Sequence, residues 1–394
     1  MTALILILLI CSCNILYSQT VRHGTSGMGA LPIPQGFGIP LLNSEGASAV
    51  DNNVSNISFM NPASIGGFHN FNFALSYQFQ TSITDVYGFE IGTSRVYNYY
   101  PQSAGGIFHY NNFSFGIGMG QQYNGSLDIG PIQITTVTNP DGTGQYYTPE
   151  FENTLQNYTI SAAYLFEGIL SDSSSLAFGL KYILNRLYSY ESIAATSANA
   201  TAFGSNLELG AYYEIRFNDE QSLGIGSSYT FSTNISDQIK YEDSRTTIPG
   251  TIPGDSSNYQ ISTPEFELSL TIPSELSFDF YFRPMNQLKL LGRINTIFWE
   301  SALGNVKNQI EFSSSTAYSF NLSIEASLGF YYTSKEYISD FFSINDELYA
   351  TYITTGVSFQ LNIFNIDLAL ADSHLFSGDY WKQTIGKIGL GIRL

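Results

Sequence analysis

The chain has 394 residues, yet only 12% are charged while 15% are aromatic, with 28 Tyr, 29 Phe and 35 Gly. An ordinary soluble enzyme carries about twice that charged fraction. A formal net charge of -18 repels phosphate backbones and excludes nucleic acid as a partner, and no internal run approaches the roughly 20 consecutive apolar residues of a membrane helix.

The opening "MTALILILLICSCNILYSQT" is an apolar stretch followed by small and polar residues, which reads as a secretory signal over residues 1–18 with cleavage after Ser18. It departs from the usual pattern in having no Lys or Arg before its apolar core. Both cysteines, Cys11 and Cys13, lie inside it, so the remaining chain carries none and needs no disulfide. Acylation at Cys13 is a weaker reading, because Ile10-Cys11-Ser12 is a poor preceding sequence.

Residues 19–67 form the second unit. Gly24, Gly27, Gly29, Pro32, Pro34, Gly36, Gly38 and Pro40 break it too often for a strand or a helix. A stretch of that length without structure needs a reason, and a plug folded into a barrel lumen supplies one. At its end stands "FMNPASIGG", and directly afterwards the pattern changes. Phe71, Phe73, Leu75, Tyr77 and Phe79 alternate with Asn72, Ala74, Ser76 and Gln78, the period of a strand with one apolar face.

That alternation continues to the last residue, as in "FSFGIGMG", "LAFGLKYILNRLYSY", "LSFDFYF" and "KIGLGIRL", with Gly, Ala, Ser, Thr, Asn or charge on the second face. Many strands of this kind mark a transmembrane antiparallel β-barrel over residues 68–394; the soluble alternative is a sandwich or solenoid. Connectors alternate between tight (111–112, 218–220, 284–286, 361–362) and long (124–154, 191–202, 235–273, 334–347), as outer-membrane barrels require. Aromatics gather near strand ends, as at Tyr188, Tyr190, Phe298, Trp299, Tyr331 and Tyr332, where an interfacial girdle is expected. Ile388, Leu390, Ile392 and Leu394 keep the period to the end, which predicts a last strand closing against the first, because an open edge in lipid leaves backbone groups unpaired. Counting between connectors predicts about 14 strands.

The segment "SEGASAVDNNVSNISFMNPASIGGFHNFNFALSYQF", with Asp51-Asn52-Asn53, the Asn61-Pro62-Ala63 turn and an immediate amphipathic strand, resembles the start of the FadL-type outer-membrane transporters of long-chain fatty acids and aromatic hydrocarbons. "LTIPSELSFDFYFRPMNQLKLLGRINTIFWES" and the strands from "INDELYATYITTGVSFQL" onward extend the resemblance over most of the chain. It implies an N-terminal hatch inside the barrel, with Asn61, Pro62 and Ala63 handing the chain from hatch to wall, and diffusion-driven passage of a hydrophobic small molecule with a sideways exit through a wall gap. Pro62 fixes φ there and Asn61 bonds backbone groups freed by the turn. The third predicted strand places Gly116, Gly118 and Gly120 on its inner face, where they either permit the kink of such a gap or make room for the plug.

Parity also turns Lys181, Arg293 and Lys387 inward at mid-strand. A charge in a partly dry lumen needs a partner. In one reading inward acids such as Glu208, Asp279, Glu325 and Asp367 supply it; in the other at least one cation holds the carboxylate of a fatty acid while Ile183 and Leu187 hold its tail.

No constellation suggests an enzyme. His23, His69, His109 and His374 lack metal-ligand spacing, and "GIGMG" is followed by neither a helix pattern nor Lys-Ser/Thr. No metal or cofactor is expected. The sequence therefore predicts a monomeric channel in a bacterial outer membrane, with lipid around it and a hydrophobic ligand inside. The long loop at 124–154 reads as a β-hairpin where the resemblance implies a helical capture groove. That departure keeps open an alternative: a related barrel acting as a shuttle or assembly component for an exported protein, as in type IX secretion, or a structural outer-membrane protein.

Overall fold

A computed structural model describes residues 57–68, 71–85, 93–128, 132–133, 146–147, 150–169, 171–193, 196–238, 240–243, 267–302, 308–321, 323–333, 350–376 and 383–394. The expected signal (1–18) and residues 19–56 of the expected hatch lie outside them.

The wall is a closed antiparallel barrel of 14 strands. In chain order they are β1 (Asn72–Asp85), β2 (Thr93–Tyr110), β3 (Phe113–Asp128), β4 (Glu150–Glu167), β5 (Ser174–Ile193), β6 (Thr196–Arg216) and β7 (Ser222–Thr230, continued by Thr233–Gln238). There follow β8 (Glu267–Ile272, then Glu275–Met285), β9 (Leu288–Ile297), β10 (Gln309–Asn321), β11 (Ile324–Thr333), β12 (Ala350–Leu361), β13 (Phe364–Asp372) and β14 (Gln383–Arg393). Closure comes from β14 returning to β1, from Asn72↔Arg393 to Ser82↔Gln383, and the Leu394 N–H donates to the Phe71 carbonyl at 2.9 Å. The sheet thus keeps no open edge that would have to be satisfied by lipid.

The period-two pattern decides what faces where. Phe115, Ile117, Leu180, Tyr182, Phe278, Phe280, Ile388 and Leu390 are exposed on the outside, while Ser114, Thr159, Ser161, Lys181, Asn185, Glu208, Ser277 and Asp279 are buried inside. An apolar exterior around a polar interior inverts a soluble core and is that of an outer-membrane-type barrel. No helix among the described residues is long and apolar enough to cross a membrane; the crossing is made by strands. Tight turns at one end use left-handed backbone at Asn111 (φ 52) and Asn362 (φ 55), a conformation Asn tolerates better than most residues. By the usual asymmetry that end, with the carboxyl terminus, is periplasmic and the long-loop end is outward.

Two local expectations change. β5 and β6 reach Ile193 and start at Thr196, so 191–202 is mostly strand; its Ser, Thr and Ala give no apolar face to count. Trp299 opens a one-turn helix, Trp299–Ala302, and both Trp299 and Tyr331 are buried in the lumen instead of joining a girdle. Outward-facing aromatics meet at the tight-turn end, where Phe113 meets Tyr164 at 4.7 Å and Tyr164 meets Phe166 at 4.5 Å between ring centroids, and Phe312 meets Phe330 at 6.4 Å toward the other end. The outer loop after β3 begins as the expected hairpin, with Ile132–Gln133 paired to Tyr146–Tyr147.

Candidate functional site in the lumen

Residues 57–68 lie inside the barrel, against inward faces of its wall. Asn61 caps a 3-10 turn, Pro62–Gly67: its Oδ1 accepts from the Ala63 N–H at 2.9 Å, and its carbonyl accepts from the Ser64 N–H at 3.0 Å and the Ser64 Oγ at 2.7 Å. Pro62 at the first position has no N–H left to satisfy there. The same Asn61 ties the turn to the wall, donating from Nδ2 to the carbonyls of Ala211 (3.2 Å) and Ser227 (3.0 Å), which face each other across β6 and β7.

The turn fits because the wall beneath it lacks side chains. A Cβ on Gly179 would overlap Pro62 and the Ala63 nitrogen, and one on Gly210 would overlap Asn61 Oδ1. Gly116 and Gly118 face Ile57, and Gly120 faces Phe59. β3 stays regular past all three, its register unbroken from Phe113↔Tyr164 to Gln121↔Gln156; the shift comes only between Gln121 and Tyr123. Ile57, Met60, Ile65 and Phe68 pack with Ala74, Ile107 and Ala163 of the wall, and Ala63 packs with Leu165, Ala177 and Tyr212.

Two wall cations hold the carbonyls of residues 58–60, which run through a turn into the 3-10 segment. Lys181, 1% exposed, donates to the Ser58 carbonyl at 3.3 Å, to the Met60 carbonyl and to Glu208 Oε2 at 2.7 Å. Arg293 donates from Nη1 to the intervening Phe59 carbonyl at 3.4 Å and from Nη2 to Ser277 Oγ at 3.1 Å, with its Nε 3.5 Å from Asp279 Oδ1. One cation takes Ser58 and Met60 and the other takes Phe59 between them. Each cation is neutralised by its register partner on the next strand, Lys181↔Glu208 and Asp279↔Arg293. Pairing inside the wall therefore accounts for both, as it does for Lys289 with Glu325 at 2.9 Å. Asp367 accepts from Ser358 Oγ at 2.6 Å and from Asn365 Nδ2 at 2.9 Å. Lys387 is buried on β14, opposite Gln78 and Ala369 and apart from the other two cations.

From Arg293 a buried chain continues outward: Ser277 Oγ donates to Asn295, Asn295 to Glu311, Gln309 to Glu311, and Trp299 Nε1 to Gln309 at 3.3 Å. Ile183 and Leu187 both face inward and are buried, and Leu187 joins Leu155, Ala202, Ile235 and Ile272 in an apolar cluster. The cluster lies outward of the cations, since Leu187↔Ala202 is about 20 Å along β5 from Lys181↔Glu208. The parity pattern had revealed Lys181, Arg293, Ile183 and Leu187; the seats at Gly179 and Gly210 and the bridge by Asn61 were not recognised, although inward parity of the two glycines was the available signal.

Among solved structures the chain is similar to the toluene transporter TbuX of Ralstonia pickettii (TM-score 0.55, 13% identity, 90% of this chain and 99% of that chain). It is likewise similar to a FadL homologue of Pseudomonas aeruginosa (TM-score 0.57, 13% identity, 89% and 98%). The chain has the FadL-type barrel fold. The toluene transporter TodX of Pseudomonas putida gives the same picture (TM-score 0.55, 12% identity, 90% and 96%). No protein-family profile and no curated protein sequence matches the chain.

Proposed function

We propose that this FadL-type barrel is a bacterial outer-membrane channel for passive uptake of hydrophobic small molecules, either long-chain fatty acids or hydrocarbons, working as a monomer and not as an enzyme. The observation that carries the reading is the layered lumen: an apolar cluster around Leu187 and Ile235 on the outward side, then the chain's own segment 57–68 held by Lys181 and Arg293. A porin for polar solutes has use for neither layer. In this reading residues 19–67 are the hatch. A fatty acid carboxylate offers Lys181 and Arg293 a full charge where Ser58, Phe59 and Met60 offer only carbonyl dipoles, so ligand and hatch compete for the same donors. Lys387 serves as a further inward cation on the ligand's way, and Ile183 and Leu187 hold the tail.

The purified full chain should bind hexadecanoic acid and hexadecane. Lys181→Met with Arg293→Met should weaken the acid roughly tenfold while leaving the alkane within about twofold, as expected for loss of charge-assisted bonds. Equal loss for both ligands would leave the two cations as structural ion pairs. One observation favours a second reading. The outer loop after β3 starts as a hairpin, which suits a barrel serving an exported protein; a stable protein partner, with no apolar ligand extracted from the purified barrel, would select it.

A further inference from the structure

The outer face of the barrel changes character at one tier. On β5 the outward residues Leu176, Phe178, Leu180, Tyr182 and Leu184 are apolar or aromatic, and the next outward residue is Arg186. Its cross-strand row continues through Gln156 on β4 to Gln121 on β3, each the first amide on the outer face after Tyr158 and Met119. Leu176 to Leu184 spans about 27 Å along the strand, or roughly 20 Å of height at the usual tilt, which is most of an apolar band about 25 Å tall. Arg186 therefore stands where the band ends, on the long-loop side, at the level of the outer leaflet's headgroups.

Every other Lys or Arg whose side chain is described has inward parity, as Lys181, Lys289, Arg293 and Lys387 do. Arg186 is thus the one cation that the described wall turns toward lipid. A cation at such an edge ordinarily snorkels into water. This one is held against the wall: Nη1 donates to Gln156 Oε1 at 3.0 Å, the oxygen that also accepts from the Tyr158 hydroxyl at 3.3 Å. A guanidinium carries five N–H donors in a planar fork, and among the described residues no carboxylate forms an ion pair with it, in contrast to Lys181 and Arg293. One tier outward, Tyr188 pairs with Thr201 across β5 and β6; one tier beyond that, Tyr190 pairs with Glu152 across β4 and β5. Tyrosine rings, apolar on the face and polar at the tip, suit a boundary between acyl chains and headgroups. Glu152 repels an anion that rises to its own level, so the patch has one favourable depth for negative charge, that of Arg186.

We propose that Arg186, Tyr158 and Tyr188 form a lipid site on the β4–β5 face, in which the guanidinium binds a phosphate on the sugar head of an outer-leaflet glycolipid of the lipopolysaccharide type. Nε and Nη2, which bond to none of the described residues, supply the two parallel donors that match a pair of phosphate oxygens. The leaflet decides between phosphate-bearing lipids: the long-loop end faces outward, and the outer leaflet of such a membrane carries its phosphates on sugar heads, to which Tyr158 and Tyr188 offer ring faces and hydroxyls. The site faces away from the lumen and does not depend on the uptake reading.

Binding is read on the purified full chain in detergent by native mass spectrometry, with bisphosphorylated lipid A as the probe. Arg186→Gln should weaken it roughly tenfold, and Arg186→Lys, which keeps the charge without the fork, by less; heat-modifiable migration shows that the variants are folded. Dephosphorylated lipid A should bind the wild type about as weakly as bisphosphorylated lipid A binds Arg186→Gln, an arm that needs no variant. Equal affinity of wild type and Arg186→Gln for bisphosphorylated lipid A, or of the wild type for the two lipids, would overturn the site. Two further arms test the source of the phosphate. Phosphatidylglycerol bound as tightly as lipid A, with the same dependence on Arg186, would overturn the glycolipid. Displacement of lipid A by millimolar inorganic phosphate would overturn a lipid site altogether.

Discussion

Gly210→Ala tests whether the glycine seats hold the lumen segment. The added Cβ would overlap Asn61 Oδ1 and stand 3.0 Å from Pro62 Cγ and Cδ. Pro62 has no rotamer to escape into, and the Asn61 side chain is fixed by three bonds, to Ala63, Ala211 and Ser227. Relief of the overlap therefore withdraws the turn and breaks those bonds. At about 1 kcal/mol net each, the turn loses about 3 kcal/mol of anchoring, which raises the population of its released state by roughly a hundredfold. Amide exchange at Ala63 and Ser64 in the purified full chain should accelerate by that order, while heat-modifiable migration shows the barrel itself intact. Gly292→Ala is the control, because its Cβ would meet nothing nearer than the Ser313 carbonyl oxygen at 3.7 Å. If Gly210→Ala left exchange at Ala63 and Ser64 within about twofold of wild type, the turn would not depend on its seat and the reasoning would fail.

Lys181→Met should cost about 3–5 kcal/mol, because it strands Glu208 in a buried site, and Glu208→Gln in the same chain should recover part of it; a thermal double-mutant cycle on the detergent-solubilised barrel measures both. Deleting residues 387–394 removes most of β14, which pairs with β1 on one side and β13 on the other, so no heat-modifiable barrel should reach the outer membrane. Deleting residues 20–58 while keeping Asn61, Pro62 and Ala63 should raise single-channel conductance in planar bilayers from near zero to that of an open porin, and an unchanged closed trace would refute occlusion by the hatch.

The wall was legible because its code is local. Alternation within one strand gives the inward and outward faces, and the tight and long connectors between strands give their number and direction. Where the alternation has no apolar partner, as in Ser197, Ala198 and Ala200 of β6, the strand was read as loop. The site needed more than alternation. Parity alone turned Lys181, Arg293, Glu208 and Asp279 inward, but which acid neutralises which cation depends on register between strands, and a shift of one residue would exchange every partner. Asn61 is further out of reach, since its acceptors on Ala211 and Ser227 lie about 150 residues away in sequence. The break at Phe231-Ser232 was hidden in what read as one strand to residue 234, and only Pro273 on its neighbour marked the level.

If the proposed function holds, the order of the layers sets which ligands would move residues 57–60. From the long-loop end, Leu187 and Ile235 come before Lys181. A neutral hydrocarbon has nothing to offer Lys181 or Arg293 in exchange for the carbonyls of residues 58–60, so under the proposed function it would leave that segment in place. Under the proposed function a fatty acid would enter both layers, its tail among the apolar residues and its carboxylate against the cations, and of the two ligands only it would have the differential affinity required to shift residues 57–60. Hydrocarbon binding should therefore be unaffected by Lys181→Met with Arg293→Met, whereas ligand-dependent release of residues 57–60 should need a carboxylate. Release of that segment by hexadecane, followed by amide exchange at residues 57–60, would break the link between charge and hatch on which this division rests.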